Sequence, residues 1–424
     1  MSTKSINSLG PKAKNMNKPK ILLYSDGVLF GGSEYVVVNI LKNKELASKY
    51  DFLFAYRKHK DYQSHIDSLF NDEEKAKLFP LPIWSFGNAY IKISSNVKFP
   101  LIKNLLIKLF SFILRLQIIN IHNYFVFRRF FNRTPFELIH ANNVGYPGSE
   151  SCLVAAKVAK NIGRKVVLQI NNNPSTTKRY WDPIVKKTVD KIVIASKYTS
   201  NNISSIRNIT DNNIYTLRDQ VRFVEPSESS DSLRRKLGID KDAIVLIQVA
   251  LLLRYKGQIH ILEALTSLRE SAPDFYNNSV LVLIGTGEME KELKQYIINN
   301  NLKEHVIMYG YRNDYIDYIN MADIMVHPTR ANEDMPLIIM SAMSLGKPVI
   351  SCRLAGIPEE IEHMKSGILL DPSSSTFVED LCSAIKTAYE NRMAFGERGK
   401  EKYESEFSES NYVEGLSTLY ESLL

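Results

Sequence analysis

The chain reads as an α/β protein built from two doubly wound domains, and three observations carry that expectation. Short apolar runs recur between helical patterns along almost the whole chain. These runs are continuous rather than alternating, which marks strands buried on both faces of a parallel sheet flanked by helices. At 424 residues and 48.5 kDa the chain also exceeds one ordinary hydrophobic core.

The first series of strands runs "KILLYS" from Lys20, "DFLFAY" from Asp51, "FELIHA" from Phe136, "KVVLQI" from Lys165 and "KIVIAS" from Lys191. The polar stretch "EPSESSDS" from Glu225, with Pro226 and four serines, then breaks the pattern. The second series is "AIVLIQVA" from Ala243, "SVLVLIG" from Ser279, "HVIMYG" from His305, "ADIMVH" from Ala322 and "KPVISC" from Lys347. A first domain over residues 20–224 and a second over 225–398 follow. Residues 1–19 are polar and basic without an apolar run, which reads as a disordered leader rather than a signal peptide.

Composition bounds the function. Hydrophobic residues make up 44% and charged residues 24%, which excludes a disordered or collagen-like chain. Cys152, Cys352 and Cys382 have no metal or redox spacing, so a reducing cytoplasm fits and no metal is expected. The net charge of +8 is unevenly spread: through Val224 there are 34 Lys and Arg against 15 Asp and Glu, and from Glu225 onward 20 against 31. The basic half suits phosphate, anionic lipid or nucleic acid, and the last is weakest because no nucleic-acid module accompanies the charge.

Within that half, residues 75–136 hold ten Lys or Arg and no acid. "LIKNLLIKLFSFILRLQIINI" places Asn104, Lys108, Ser111 and Arg115 on one stripe of an otherwise apolar helix. Such a helix suits an anionic membrane surface, peripheral on its inner face, or equally a core helix exposing one basic stripe.

Four stretches carry candidate chemistry. In "NEDMPLIIMSAMSLGKPVI", Pro336 suits the first turn of a helix reaching about Leu345, with Gly346 and Pro348 ending it. Its amino end would follow the strand "ADIMVH", where free amides and the positive dipole end can hold a phosphate and Glu333 can accept from sugar hydroxyls. Equally, Glu333 and Asp334 suit simple complementation of the dipole. In "VALLLRYKGQIHILEAL", Arg254 and Lys256 end a strand before Gly257, two cations suited to a leaving diphosphate. "DGVLFGGSEYVVVNIL" offers Gly31 and Gly32 to an anion, with Ser33 as a helix cap. "IGTGEMEKEL" adds Gly285 and Gly287, more often a tight turn. His140, ending "FELIH", is a strand-tip candidate.

Together these stretches resemble the family 4 retaining glycosyltransferases of GT-B architecture, two facing Rossmann-like domains around a cleft. "ADIMVHPTRANEDMPLIIMSAMSLGKPVIS" resembles the family's donor block and "RLAGIPEEIEHMKSGILLDP" the block after it, while "GGSE" and "FELIHANN" match more weakly. The resemblance implies that Glu333 contacts the donor sugar and that backbone amides of Asp334, Met335, Pro336 and Leu337 hold sugar and phosphate. It implies further that Lys256 binds the diphosphate, with Arg254, Gly31, Gly32 and Gly285 completing the donor side. His140, Asn142 and Asn171 fall on the acceptor side, with His140 and Asn142 near the reacting centre. Residues 399–424 are then a helix returning to the first domain.

The chain departs from the family's pattern in places. Ser341 stands at the second glutamate of E-x7-E, a loss of ~1–3 kcal/mol of ribose binding unless replaced. Leu251 and Ala250 stand where the "GR" pair is expected, and Ala141 with Asn142 where "HxH" often continues. The expectation is a metal-independent, cofactor-free transferase that moves a sugar from a nucleoside diphosphate, UDP or GDP, to a lipid-linked or surface-glycan acceptor. The alternatives are a catalytically silent GT-B partner of another glycosyltransferase, and a GT-B sugar epimerase.

Overall fold

A computed structural model describes residues 18–27, 30–85, 102, 104–107, 109, 117–331 and 333–424. It contains two parallel sheets. The first comprises β1 (Lys20–Ser25), β2 (Asp51–Arg57), β3 (Leu78–Leu81), β4 (Leu138–Asn143), β5 (Lys165–Ile170), β6 (Lys191–Ile194) and β7 (Ile214–Thr216), in the order β3-β2-β1-β4-β5-β6-β7. The second comprises β8 (Ile244–Val249), β9 (Ser279–Ile284), β10 (Val306–Tyr309), β11 (Ile324–His327), β12 (Val349–Cys352) and β13 (Gly367–Leu370), in the order β10-β9-β8-β11-β12-β13.

In each sheet the order reverses once, between β1 and β4 and again between β8 and β11. Connections leave such neighbours toward opposite faces, so a crevice opens at their carboxyl ends. The central strands are continuous apolar runs because both faces are covered. Leu246 and Leu283 face one apolar layer and Val245, Ile247 and Val282 the other. Ile139 and Leu168 do the same opposite Leu138 and Val167 in the first sheet.

Three strands lie outside the expected series. β3, β7 and β13 are sheet edges of three or four residues, too short for a marked run. Pro80 within β3 is tolerated because an edge strand leaves one side unpaired.

The chain ends with helix Arg392–Glu406 on the second domain and helix Glu409–Glu421 on the first. The latter buries Tyr412, Leu416 and Tyr420 against Val37, Tyr50 and Leu138. Its return brings Tyr420 over β4.

The single amphipathic helix expected across residues 101–121 is broken. Gln117 is left-handed (φ 56°), and a new helix, Ile118–Phe131, starts after it. Lys108, Ser111 and Arg115 of the expected stripe lie outside the described residues, as do residues 1–17 of the leader. Among the described residues, no helix is long and apolar enough to cross a membrane.

Candidate active site

The crevice between β8 and β11 gathers the charged candidates. After β8 the chain makes one 3-10 turn, Arg254–Lys256, and reverses at Gly257 (φ +79°). A side chain at Gly257 would collide with the carbonyl of Pro328, so glycine permits the turn to close against the segment after β11. That approach brings Lys256 onto Glu333: Nζ donates to the Glu333 Oε1, and the side chains are 15% and 12% exposed. Burial draws the Lys256 ammonium down to about 8. At that value it is still mostly protonated at neutral pH.

Past Glu333, helix Leu337–Ser344 begins with Pro336 as its N-cap and ends before Gly346 (φ +66°). Proline at the cap leaves no N–H to satisfy there, and the Leu337 and Ile338 amides have no intrahelical acceptor. Glu333, the Lys256 ammonium and this helix start are thus consecutive along one wall. Met335 is buried beneath it in the core.

Asp334 does something other than complement the dipole. Its Oδ1 accepts from the Ser196 hydroxyl, 2.5 Å away at the end of β6, so it joins the two domains. Burial raises its carboxyl to about 6. Nearby, Glu359 accepts from the Lys197 and Tyr198 amides at 3.1 and 2.9 Å, capping helix Lys197–Arg207 from across the domain boundary. Tyr35 and Tyr311 share a hydroxyl contact of 3.0 Å over the same boundary.

On the facing edge, Gly31 caps helix Gly32–Lys42 through its carbonyl, which accepts from the Glu34 and Tyr35 amides. Ser33, expected as the cap, lies inside the helix. Asn142, at the end of β4, donates to the Ser33 carbonyl at 2.8 Å and accepts from Asn171 at 2.6 Å. Glu34 is buried with Ser25 donating to it at 3.0 Å, and burial raises its carboxyl to about 7.

Four expected site residues have other duties. His140 is two positions deeper than Asn142 because β4 continues to Asn143. Gln169 Oε1 (3.0 Å) and the Tyr420 hydroxyl (2.7 Å) take both its ring nitrogens, and burial lowers its pKa to about 4. It clamps the terminal helix and cannot reach a substrate. Arg254 is exposed and pairs with Glu292 at 2.8 Å, away from Lys256. Gly285 (φ +142°) gives its amide to Tyr309 and Gly310 and packs against the Ala250 carbonyl, so it is a crossing point of backbone. The Ser341 hydroxyl is buried and donates to the Leu337 carbonyl at 3.1 Å, which leaves no donor for a ribose.

One residue was missed. His327 ends β11, is 1% exposed, and its Nε2 lies 3.9 Å from Glu333 Oε1. The available signal was a histidine closing the strand run six residues before the acid.

A cavity of about 960 Å³ opens elsewhere, at the amino ends of β1 and β2, between Lys20, Phe52, Lys77 and Leu424. Its Lys77 is paired with Asp51, and it lies at the strand ends opposite the crevices. The chemistry belongs to the crevice. Among the described residues, no group of three His, Cys, Asp or Glu is placed to hold a metal ion.

Two Rossmann-like domains, with an ion pair at the switch point of the second, define a GT-B fold. Residues 229–402 match the model for Glycosyl transferases group 1. The N-acetyl-alpha-D-glucosaminyl L-malate synthase of Bacillus anthracis is 24% identical over 52% of this chain and 54% of its own length. The UDP-Gal:alpha-D-GlcNAc-diphosphoundecaprenol alpha-1,3-galactosyltransferase of Escherichia coli is 29% identical over 36% and 39%. The chain therefore spans about half or less of these curated relatives. Anabaena Alr3699/HepE in complex with UDP shares the fold with a TM-score of 0.71, 17% identity and coverage of 95% of this chain and all of that one.

Proposed function

We propose that the chain is a retaining glycosyltransferase that uses a nucleoside diphosphate sugar, with UDP the favoured carrier. The observation that carries this reading is the Lys256–Glu333 contact beside the start of helix Leu337–Ser344. A diphosphate entering the crevice meets one buried ammonium and two free amides, while Glu333 accepts from the sugar hydroxyls. Alr3699/HepE, with the same fold, binds UDP, and the E. coli relative is named for UDP-galactose and a lipid-linked acceptor.

In the reaction, the bond from the anomeric carbon to the diphosphate oxygen breaks as the acceptor oxygen bonds on the same face. The acceptor proton passes to the leaving phosphate oxygen, and Lys256 and the helix start stabilise the charge that develops there. Positioning and electrostatics supply the catalysis, so neither a protein base nor a divalent ion is invoked. Asn142 and Asn171 line the acceptor side.

The acceptor is read as lipid-linked because of one surface. Ile118, Ile121 and Phe125 are exposed along one face of helix Ile118–Phe131, which continues into exposed Arg128 and Arg129. Trp84, also exposed, stacks on His122 beside it. An apolar stripe ending in arginines matches an anionic membrane surface. Flotation with anionic but not neutral liposomes, lost in Phe125→Asp, is expected; equal flotation with both removes this part.

Donor hydrolysis and transfer with a panel of UDP and GDP sugars, with and without EDTA, tests the reaction. Turnover that resists EDTA and falls by about 10²–10³-fold in Lys256→Ala supports it. No nucleotide binding anywhere in the panel indicates the silent partner, for which Ser341 and Leu251 speak, and an isomerised sugar formed without acceptor indicates an epimerase.

A further inference from the structure

We propose that His327 is the positioning residue that receives the Glu333 carboxylate when Lys256 turns from it to the donor diphosphate. The proposal rests on the donor reading above, and it starts from a cost. Among the described residues neither ring nitrogen of His327 has a hydrogen-bond partner, although the side chain is almost wholly buried. A buried imidazole normally pairs both nitrogens, as His140 does, and each unmet group is destabilising. An orphan group next to an ion pair is explained if it is satisfied in another state of the site.

The geometry supplies that state. Without a donor, Lys256 and Glu333 neutralise each other. Neither can then serve a substrate. A diphosphate that draws Lys256 away strips Glu333 of its counter-charge in a dry site, a step that costs more than the new phosphate contact alone would suggest. His327 Nε2 is 3.9 Å from Glu333 Oε1, about 1 Å beyond hydrogen-bond distance. A small rotation of either side chain closes the gap. The His327 backbone is fixed while this happens, since its carbonyl accepts from the Ser351 hydroxyl at 2.7 Å and the Thr329 amide at 2.8 Å.

The charged groups facing the ring are Lys256, on the turn after β8, and Glu333, 3.9 Å away on the loop after β11. Burial first, and then Lys256, hold the imidazole neutral, well below its ordinary range. Moving Lys256 away weakens the second influence, and the freed Glu333 carboxylate becomes an attractive partner. The hand-over thus converts an orphan neutral histidine into a hydrogen-bonded one that gains proton affinity.

The decisive experiment needs no donor. Imidazole NMR titration of Lys256→Met should show the His327 pKa raised by at least two units over wild type. The double variant Lys256→Met with Glu333→Gln should abolish most of the rise. If Lys256→Met does not fold, Lys256→Gln serves the same purpose. An unchanged His327 titration in the folded variant, or a rise that persists without the Glu333 carboxylate, overturns the proposal.

A second arm uses UDP. His327→Leu should weaken UDP binding by about tenfold, His327→Gln should restore most of it, and Glu333→Gln should remove the sensitivity to position 327. An effect of His327→Leu that is the same in both backgrounds marks a merely structural histidine and overturns the hand-over. Failure of wild type to bind any nucleotide sinks the transferase reading instead, and the first arm still decides the fate of Glu333.

Discussion

β4 and β11 occupy the same place in their two sheets, the strand across the switch point from the first strand of the domain, and each carries a buried histidine. His140 lies three residues short of the end of β4 and is bonded on both nitrogens. His327 ends β11 and is bonded on neither. The contrast extends to their surroundings. On the first-domain edge, Asn142 donates to the Ser25 hydroxyl and the Ser33 carbonyl and accepts from Asn171, all neutral contacts, while the buried Asp26–Arg57 pair at 3.1 Å lies at the ends of β1 and β2. The second-domain edge holds opposite charges in a dry contact. The neutral amides around Asn142 can orient an acceptor without changing its charge, whereas the Lys256–Glu333 pair at the helix start has charge to exchange with an anion. Depth along the strand, rather than residue type, separates a structural histidine from one available to a site.

The largest test of this asymmetry is Lys256→Ala, which deletes the cation of the second edge. It is expected to lower kcat/KM for the donor sugar by about 10²–10³-fold, the range for removal of one preorganised charge-stabilising group. A loss below about tenfold would place the electrostatic work elsewhere.

The converse is His140→Phe, which spoils the first edge's counterpart. It leaves the Tyr420 hydroxyl and the Gln169 amide without their partner in a buried site. Denaturant unfolding is expected to show a loss of ~2–4 kcal/mol, from two orphaned groups, while kcat per folded molecule changes less than about threefold. A selective collapse of kcat with stability intact would return His140 to the reacting centre.

Glu360 shows that an orphan group is not by itself a site. It is fully buried at the domain boundary, and among the described residues neither of its oxygens has a partner. Burial, then Asp334 and Asp219, raise its pKa well above the ordinary carboxyl value, while Lys402 and Arg218 oppose them more weakly. Asp219 is raised to about 7, chiefly by burial. Carboxyls raised on folding contribute stability that is complete near pH 4 and is lost as pH climbs through their folded values. Wild-type stability should therefore fall from about pH 5 to pH 8. Glu360→Gln should gain ~1–2 kcal/mol at pH 8, from removal of an unpaired buried acid, and nothing near pH 4. An equal gain at both pH values would show packing rather than ionisation.

Much of the architecture was legible because parallel strands buried on both faces must be continuous apolar runs. Edge strands such as β7 carry too few residues to leave that signature. Lys256 and Glu333 were legible because each lies in the loop that follows a strand run, and strands of an open sheet deliver their loops to one crevice. The depth of His140 was not legible. "ANN" after it looks like a loop, yet Asn142 and Asn143 are buried strand residues whose amides find partners across the sheet and the turn beyond. Arg254 failed for a related reason: Leu251, Leu252 and Leu253 already leave the strand, so a cation three residues on can turn to solvent and meet Glu292.

The smallest expected effect is also the most direct measure of the charged edge. Lys256 is drawn down to about 8 in the free protein by burial, whereas a bound diphosphate favours its charged form and raises it. Between those two values UDP must bring a proton with it, and affinity falls as pH rises. Calorimetry from pH 7.0 to 9.0 should give a nearly constant Kd up to about pH 7.5 and a weakening approaching tenfold at pH 9, the slope set by one proton. Starting at pH 7 keeps the second phosphate ionisation of UDP, near 6 by analogy with phosphate esters, out of the range. Proton uptake on binding, read from the dependence of the heat on buffer ionisation enthalpy, should grow over the same interval and vanish in Lys256→Met. His140 is neutral throughout this range, and His327 can affect it only through Glu333. A flat profile in wild type would therefore mean that the second edge offers the diphosphate no charge of its own.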